Sequence, residues 1–379
     1  VKLARSALVL TAVVVCAACT EAQGTGAEAQ GAGEERPGAA EKRIEERGPA
    51  APSMDLTEAS RSKKERADET GLDEEPSLRI SAVGDCTIGT DLKSRWGVGS
   101  FHVEMQERGG DLAYPFSGVV GLLSQDDLTI ANLETTLTTH EPREPSAGLQ
   151  FRGDPAWARM LVLGSVEAVS VANNHAYDLG RVGFEDTVRA VQAQGVGVFG
   201  FGLVDRRTIK GIEVVNLGYT GGEPSSIMKD MVRSVSREKR PDNLVIVSFH
   251  WGGEGVYQPN GDQIRLGRGA IDAGADLVLG HHPHVIQGIE TYRGREIVYS
   301  LGNFVFGGHS NPEDKDTIIY QATFQRKEGR VVPKESQAIP ARVSSVPERN
   351  DYRPVLLDGA EKARVLEKLR GYSAALAMH

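Results

Sequence analysis

Cysteine is scarce in this chain: three in 379 residues, at positions 16, 19 and 86, too few and too unevenly placed for a disulfide framework. Basic charge is not in excess either. A net charge of −9 and a pI near 5.6 exclude the broad basic face of a nucleic-acid binder. Aromatic residues are absent from Thr20 to Ser77, and large apolar side chains there are only scattered, such as Ile44, Met54 and Leu72. Such a stretch cannot bury enough surface to offset the entropy of ordering it, so residues 20–77 are expected to form a disordered tether. The glycine-rich Gly252-Gly253-Glu254-Gly255 is followed by no Lys-Ser/Thr pair, which excludes a phosphate-binding P-loop there.

What is present begins with Lys2 and Arg5, the apolar run Ala7–Val15, and Cys16-Ala17-Ala18-Cys19. This order reads as a lipoprotein signal over residues 1–19, with Cys19 lipidated, the chain exported, and the product anchored at the bacterial cell envelope. Cys16 stands where such signals usually carry Leu, and the competing reading is an uncleaved anchor. The run is shorter than the ~20 residues that span a bilayer. With Cys19 lipidated, Cys86 has no partner and is expected to be a buried structural thiol, the alternative being a site-adjacent thiol near a soft metal.

Beyond Ser77, short β-branched runs alternate with helical stretches, the pattern of an α/β layer protein. Strands are expected at Leu78–Val83, Leu128–Ala131, Val166–Val171, Ile212–Gly218, Leu244–Phe249 and Leu277–Leu279, then a hairpin from Val285–Thr291 to Ile297–Leu301. Helices are expected at Val182–Gln194 and at Gln263–Ala273, the latter capped by Asp262. Residues 78–310 read as the main domain, and residues 311–379, with a strand at Thr317–Phe324 and a helix at Gly359–Leu376, as its completion.

Polar residues recur where these strands stop: Asp85, Glu134, Asn173-Asn174-His175, His250, and His281-His282-Pro283-His284. Loops at the carboxyl ends of strands in an α/β sheet converge on one crevice, so these residues are expected to share a site. Asp85, Glu134, Asn174, His250, His282 and His284 form a mixed oxygen and nitrogen set suited to divalent Mn, Fe, Zn or Co. Two metals suit this set better than one, with Glu134 as the bridge. His175 is the candidate acid, oriented by Asp178; the alternative for Asp178 is a cap on the helix starting near Gly180. Arg152 reads either as an anion contact or as an ordinary ion pair, and Trp251 as a wall of the pocket beside His250.

In this order the segments Gly84-Asp85, Asn132-Leu133-Glu134, Asn173-Asn174-His175-Ala176-Tyr177-Asp178, His250-Trp251-Gly252, Gly280-His281-His282-Pro283-His284 and Gly302-Asn303-Phe304 resemble the CapA family of poly-γ-glutamate capsule biosynthesis, which is similar to calcineurin-type metallophosphatases. The resemblance covers roughly Leu78 to Gly307. It implies a metallophosphatase-like sandwich of two β-sheets flanked by helices, with phosphoester hydrolysis at a dinuclear centre. The implied partners are an anionic polymer or phosphoester substrate, a capsule-synthesis membrane complex and the membrane itself, not nucleic acid. One departure stands out: the metallophosphatase pattern opens Asp-x-His, and this chain has Asp85-Cys86-Thr87, so one metal lacks a histidine and its site is expected to be weaker, empty, or completed by water, His281 or another residue. Two other readings remain, a non-catalytic polymer-binding scaffold and a general exported nucleotidase or phosphodiesterase.

Overall fold

The computed structural model describes residues 76–141 and 148–376. The expected signal segment with Cys19 and the expected tether up to Glu75 lie outside the described residues. Two sheets stack face to face. The first has the order β17-β16-β15-β1-β3-β6-β7 with β14 also paired to β1. Its members are β1 (Ser77–Thr87), β3 (Leu128–Leu133), β6 (Ala168–Ser170), β7 (Gly197–Phe199), β14 (Asn303–Phe306), β15 (Asp316–Lys327), β16 (Arg330–Arg342) and β17 (Val355–Leu356). The second runs β12-β13-β11-β10-β9-β8, from β8 (Asp205–Ile209), β9 (Ile212–Thr220), β10 (Asn243–His250), β11 (Leu277–His281), β12 (Ile289–Tyr292) and β13 (Arg295–Val298). A small third sheet joins β2 (Thr90–Asp91), β5 (Phe151–Gly153) and β4 (Thr136–Leu137).

Alternation along the strands builds the layers, because successive side chains point to opposite faces. Leu78, Ile80 and Ala82 of β1 meet Leu244 and Ile246 of β10 in the core between the sheets. Their neighbours Val245 and Val247 point outward to a core closed by Met231, Val235, Leu266 and Ala270. Those residues sit on α3 (Pro224–Glu238) and α4 (Gly261–Ala273), while α2 (Gly180–Ala193) covers the first sheet, and a short α1 (Phe101–Glu107) also packs there. The expected fold class, an α/β sandwich of two sheets flanked by helices, is what the structure has. Among the described residues no helix is long and apolar enough to cross a membrane.

Several local expectations are corrected. The cap of α4 is Asn260, which accepts from Asp262 N–H and Gln263 N–H while Gln263 returns the bond to Asn260 N–H; a residue whose own N–H is capped cannot be the cap. The expected hairpin is present: β12 and β13 turn at Arg293-Gly294, both with positive φ, and the antiparallel pairing continues in register past the strand ends through Tyr299 N–H to Gly288, Gln287 N–H to Ser300 and a bridge between Ile286 and Leu301. β16 was not expected, because Pro333 and Pro340 and a polar exposed face hide the strand pattern. It pairs with β15 along nearly its whole length.

The closing helix α5 (Gly359–Leu376) is tied to β15 through charge. Asp316 accepts two bonds from Arg364, at 2.7 and 2.8 Å, and one from Lys368 at 3.0 Å. Burial pushes its carboxyl up, but these two cations outweigh burial and hold it below the usual range. A carboxylate with a depressed folded-state pKa contributes stability above its unfolded value and loses it as the pH falls below about 4. Asp316→Asn is therefore expected to cost about 1–2 kcal/mol at neutral pH, discounted for the half-exposed Arg364. Urea unfolding at pH 7 and pH 3 checks it, since the difference from wild type should shrink in acid.

Candidate metal centre

β1, β3 and β6 of one sheet and β10 and β11 of the other bring their carboxyl ends to the same edge of the sandwich, and β1 and β10 extend further than their apolar patterns suggest. Asp85 lies within β1, paired with Asn132 of β3 and Asn303 of β14, and His250 and His281 are the last residues of β10 and β11. Two glycines allow this close approach. A Cβ on Gly84 would meet the Gly302 carbonyl oxygen at 2.0 Å, and one on Gly280 would meet that of Tyr299 at 1.9 Å. The last loop then turns sharply: His282 and His284 have φ of 93° and 58°, conformations that non-glycine residues rarely adopt.

At this edge two groups of potential ligands have their atoms within 4.8 Å of one another, Asp85 with Glu134 and His250, and Glu134 with His282 and His284. Glu134 belongs to both. It is fully buried, and neither of its carboxylate oxygens has a hydrogen-bond partner. His282 Nδ1, His281 Nε2 and the Thr87 hydroxyl are likewise buried without hydrogen-bond partners, and His281 Nδ1 has only the Asp85 carboxylate nearby. Buried polar atoms normally find partners, and a carboxylate left alone is the costliest exception. A cation between these groups would satisfy Glu134 and His282 at once, so the residues present fit a divalent metal.

The other expected residues occupy the same pocket. Asn174 Oδ1 lies 2.7 Å from His250 Nε2, and that nitrogen is 3.4 Å from Glu134. Burial keeps the His250 imidazole well below its usual pKa, in the neutral form that ligates metals. His284 goes the other way: burial opposes its charge, but Glu134 and Asp85 raise it to about 10. Its Nδ1 is 2.9 Å from Asn303 Oδ1 and 3.2 Å from Asp85. Burial also lifts the Glu134 carboxyl well above its ordinary value, whereas His281 and His284 pull Asp85 well below, against its own desolvation. His281 Nδ1 lies 3.3 Å from Asp85. Cys86 is fully buried with its thiol pushed up to about 12 by burial, which makes it an inert packing group.

His175 stands at the rim. Its Nδ1 is 2.8 Å from Asp178 Oδ2, which also accepts the Phe151 N–H at 2.7 Å. Asp178 therefore orients His175, and α2 starts without a side-chain cap. The ring borders a cleft of about 920 Å³ that is also lined by His284, Asn303, Tyr257, Glu254 and Glu313. Trp251 does not line it, contrary to expectation. Its indole stacks on Phe249 at 4.5 Å and donates to the Tyr299 carbonyl, because it follows His250 and so faces the opposite side of the sheet.

Two residues of the same strand-end segments, Asn132 and Asn173, have supporting roles that their sequence positions do not reveal. Asn132 Nδ2 donates to Asp85 Oδ1 at 2.8 Å and lies 3.3 Å from His250 Nδ1. Asn173 Nδ2 donates to Asn132 Oδ1 and to the Leu133 carbonyl, and its Oδ1 accepts the His175 N–H. Each amide touches a residue distant in sequence, so only the fold reveals the relay.

Fold and site together define an α/β sandwich protein with a cluster of carboxylates and imidazoles able to hold metal at the junction of its sheets. Residues 79–308 match the family described as bacterial capsule synthesis protein PGA_cap, and the chain belongs to that family. Among characterised relatives, the PGA biosynthesis protein CapA of Bacillus subtilis is 27% identical over 266 residues, 64% of this chain and 67% of that one. The capsule biosynthesis protein CapA of Bacillus anthracis is 27% identical over 299 residues, 72% of this chain and 68% of that protein. A calcineurin-like phosphoesterase structure from Bacillus subtilis overlays with a TM-score of 0.42 and 12% identity, covering 79% of this chain and 98% of that one.

Proposed function

We propose that this chain is a metal-dependent phosphoesterase-type hydrolase of capsule or related anionic-polymer biosynthesis, working at the cell envelope. The observation that carries the reading is Glu134, a buried carboxylate with no hydrogen-bond partner, common to both ligand groups. The first group, with Asp85 and His250, and the second, with His282 and His284, would each hold one divalent ion, with Asn174 as a further oxygen ligand and Glu134 as the bridge. Such a pair supplies the charge that activates a water and steadies phosphoryl oxygens.

The remaining chemistry belongs to the side chains. With Nδ1 held by Asp178, His175 presents Nε2 to the cleft and delivers a proton to the departing oxygen. Asn303 grips His284 from both its ring and its carbonyl and so fixes the ligand loop. A purely structural metal needs no such oriented histidine, which favours catalysis over a polymer-binding scaffold. The full chain reconstituted with Mn, Fe, Zn or Co is expected to hold up to two ions and to hydrolyse members of a phosphoester panel, read by elemental analysis and phosphate release. A chain that binds metal tightly yet turns over no ester favours the scaffold.

Cys19 is proposed as the lipid attachment site that places this body at the membrane beside a capsule-synthesis complex. Palmitate labelling of wild type but not of Cys19→Ala is the expected result.

A further inference from the structure

β5 has a second face. Phe151 lies against the His175 ring, with centroids 4.4 Å apart, whereas Arg152 and Gly153 line a separate cavity of about 660 Å³. Trp96 and Trp157 flank His102 in that cavity, their ring centroids 5.6 and 4.7 Å from the imidazole. Trp96 is 61% exposed, and the Arg95 guanidinium lies 5.1 Å from its ring. Burial and Arg95 hold His102 down to about 4, so it adds no charge at neutral pH. Asp154, the one carboxylate among the described residues of the wall, uses Oδ1 to cap Ala156 N–H.

The two guanidinia already share a carboxylate. Glu141 Oε1 is 2.6 Å from Arg152 and 3.9 Å from Arg95. The Glu141 side chain is 64% exposed, while those of Arg152 and Arg95 are 11% and 21% exposed, and Arg95 Nε is buried with no hydrogen-bond partner. The two cations are thus built into the wall, and the anion is a loosely held visitor. An exposed ion-pair partner contributes little and is readily exchanged for a ligand of the same chemistry. The planar fork of Arg matches a carboxylate, and the indoles offer flat apolar faces to the methylenes and amide planes that would carry it.

We propose that this cavity is a carboxylate-binding subsite whose seat is held by Glu141 until a ligand carboxylate displaces it, and that its ligand is a unit of an anionic polymer that carries its carboxylate on methylenes beside an amide. That the same polymer reaches the metal centre across β5 rests on the function proposed above; the carboxylate seat does not.

Tryptophan fluorescence of the full chain reads the site, since two of the three tryptophans line the cavity and Trp251 serves as an internal reference. Titration with a γ-glutamyl tetramer is expected to give saturable quenching, kept after chelation of metal and largely lost in Trp157→Phe. Glu141→Gln should tighten binding at least about threefold by removing the internal competitor. Arg152→Ala should weaken it at least about tenfold, with Arg152→Lys intermediate, and melting curves confirm that each variant folds. No quenching by the tetramer, equal binding of its fully amidated form, or identical affinity in wild type, Glu141→Gln and Arg152→Ala would each overturn the subsite. Binding without any phosphoester turnover would retain the subsite and count only against the hydrolase.

Discussion

Glu134→Ala is expected to abolish tight metal binding at both ligand groups and to lower phosphoester hydrolysis at least about a thousandfold. The reason is geometric: Glu134 is common to both groups, so one substitution removes a ligand from each. The same change should have an opposite effect on the metal-free protein. There the carboxyl is buried without a hydrogen bond, and deleting a buried unsatisfied group returns about 1–3 kcal/mol, reduced by the lost attraction to His284 at 3.8 Å and by the small cavity left behind. Elemental analysis of both proteins, with melting curves in chelator and in excess Mn, reads the two effects together. A variant that retains wild-type metal content, or that melts lower than wild type in chelator, argues against the centre.

His175→Ala separates catalysis from binding. Metal content should stay at the wild-type level, because the ring is paired with Asp178 at the cleft rim, while kcat falls about 10²–10⁴-fold. The loss should be greatest for alkyl esters, whose leaving oxygen needs a proton, and much smaller for a p-nitrophenyl ester, whose leaving group departs as an anion. Asp178→Asn should reproduce a milder version by losing the carboxylate that orients the ring. Equal losses on both ester types would remove the acid role from His175.

Much of this site was legible because parallel strands bring their carboxyl ends to one edge, so a polar residue at each strand end becomes a clue to a shared pocket. Asp85, Glu134, Asn174, His250, His282 and His284 could be picked out in that way, each marked by an apolar run that stops. Asn132 and Asn173 stand in the same segments, but their role could not be read there, since each acts through a side-chain amide that reaches another strand. The fate of Trp251 was misread because its adjacency to His250 suggested a shared pocket, whereas strand alternation sends neighbours to opposite faces. Arg152 faced the same ambiguity: its ion pair with Glu141 is a common surface pattern, and only the surrounding indoles and the neighbouring, largely covered Arg95 give it a different meaning.

The proposed ligands come from both halves of the sandwich, with Asp85, Glu134 and Asn174 in or just after strands of one sheet and His250, His282 and His284 in or just after strands of the other. A bound ion would therefore act as a clasp across the layer interface, and its affinity would enter the unfolding equilibrium directly. At a hundred times its dissociation constant, each ion adds about 2.7 kcal/mol to the folded state. Metal supply would then set how long the protein survives as well as how fast it works.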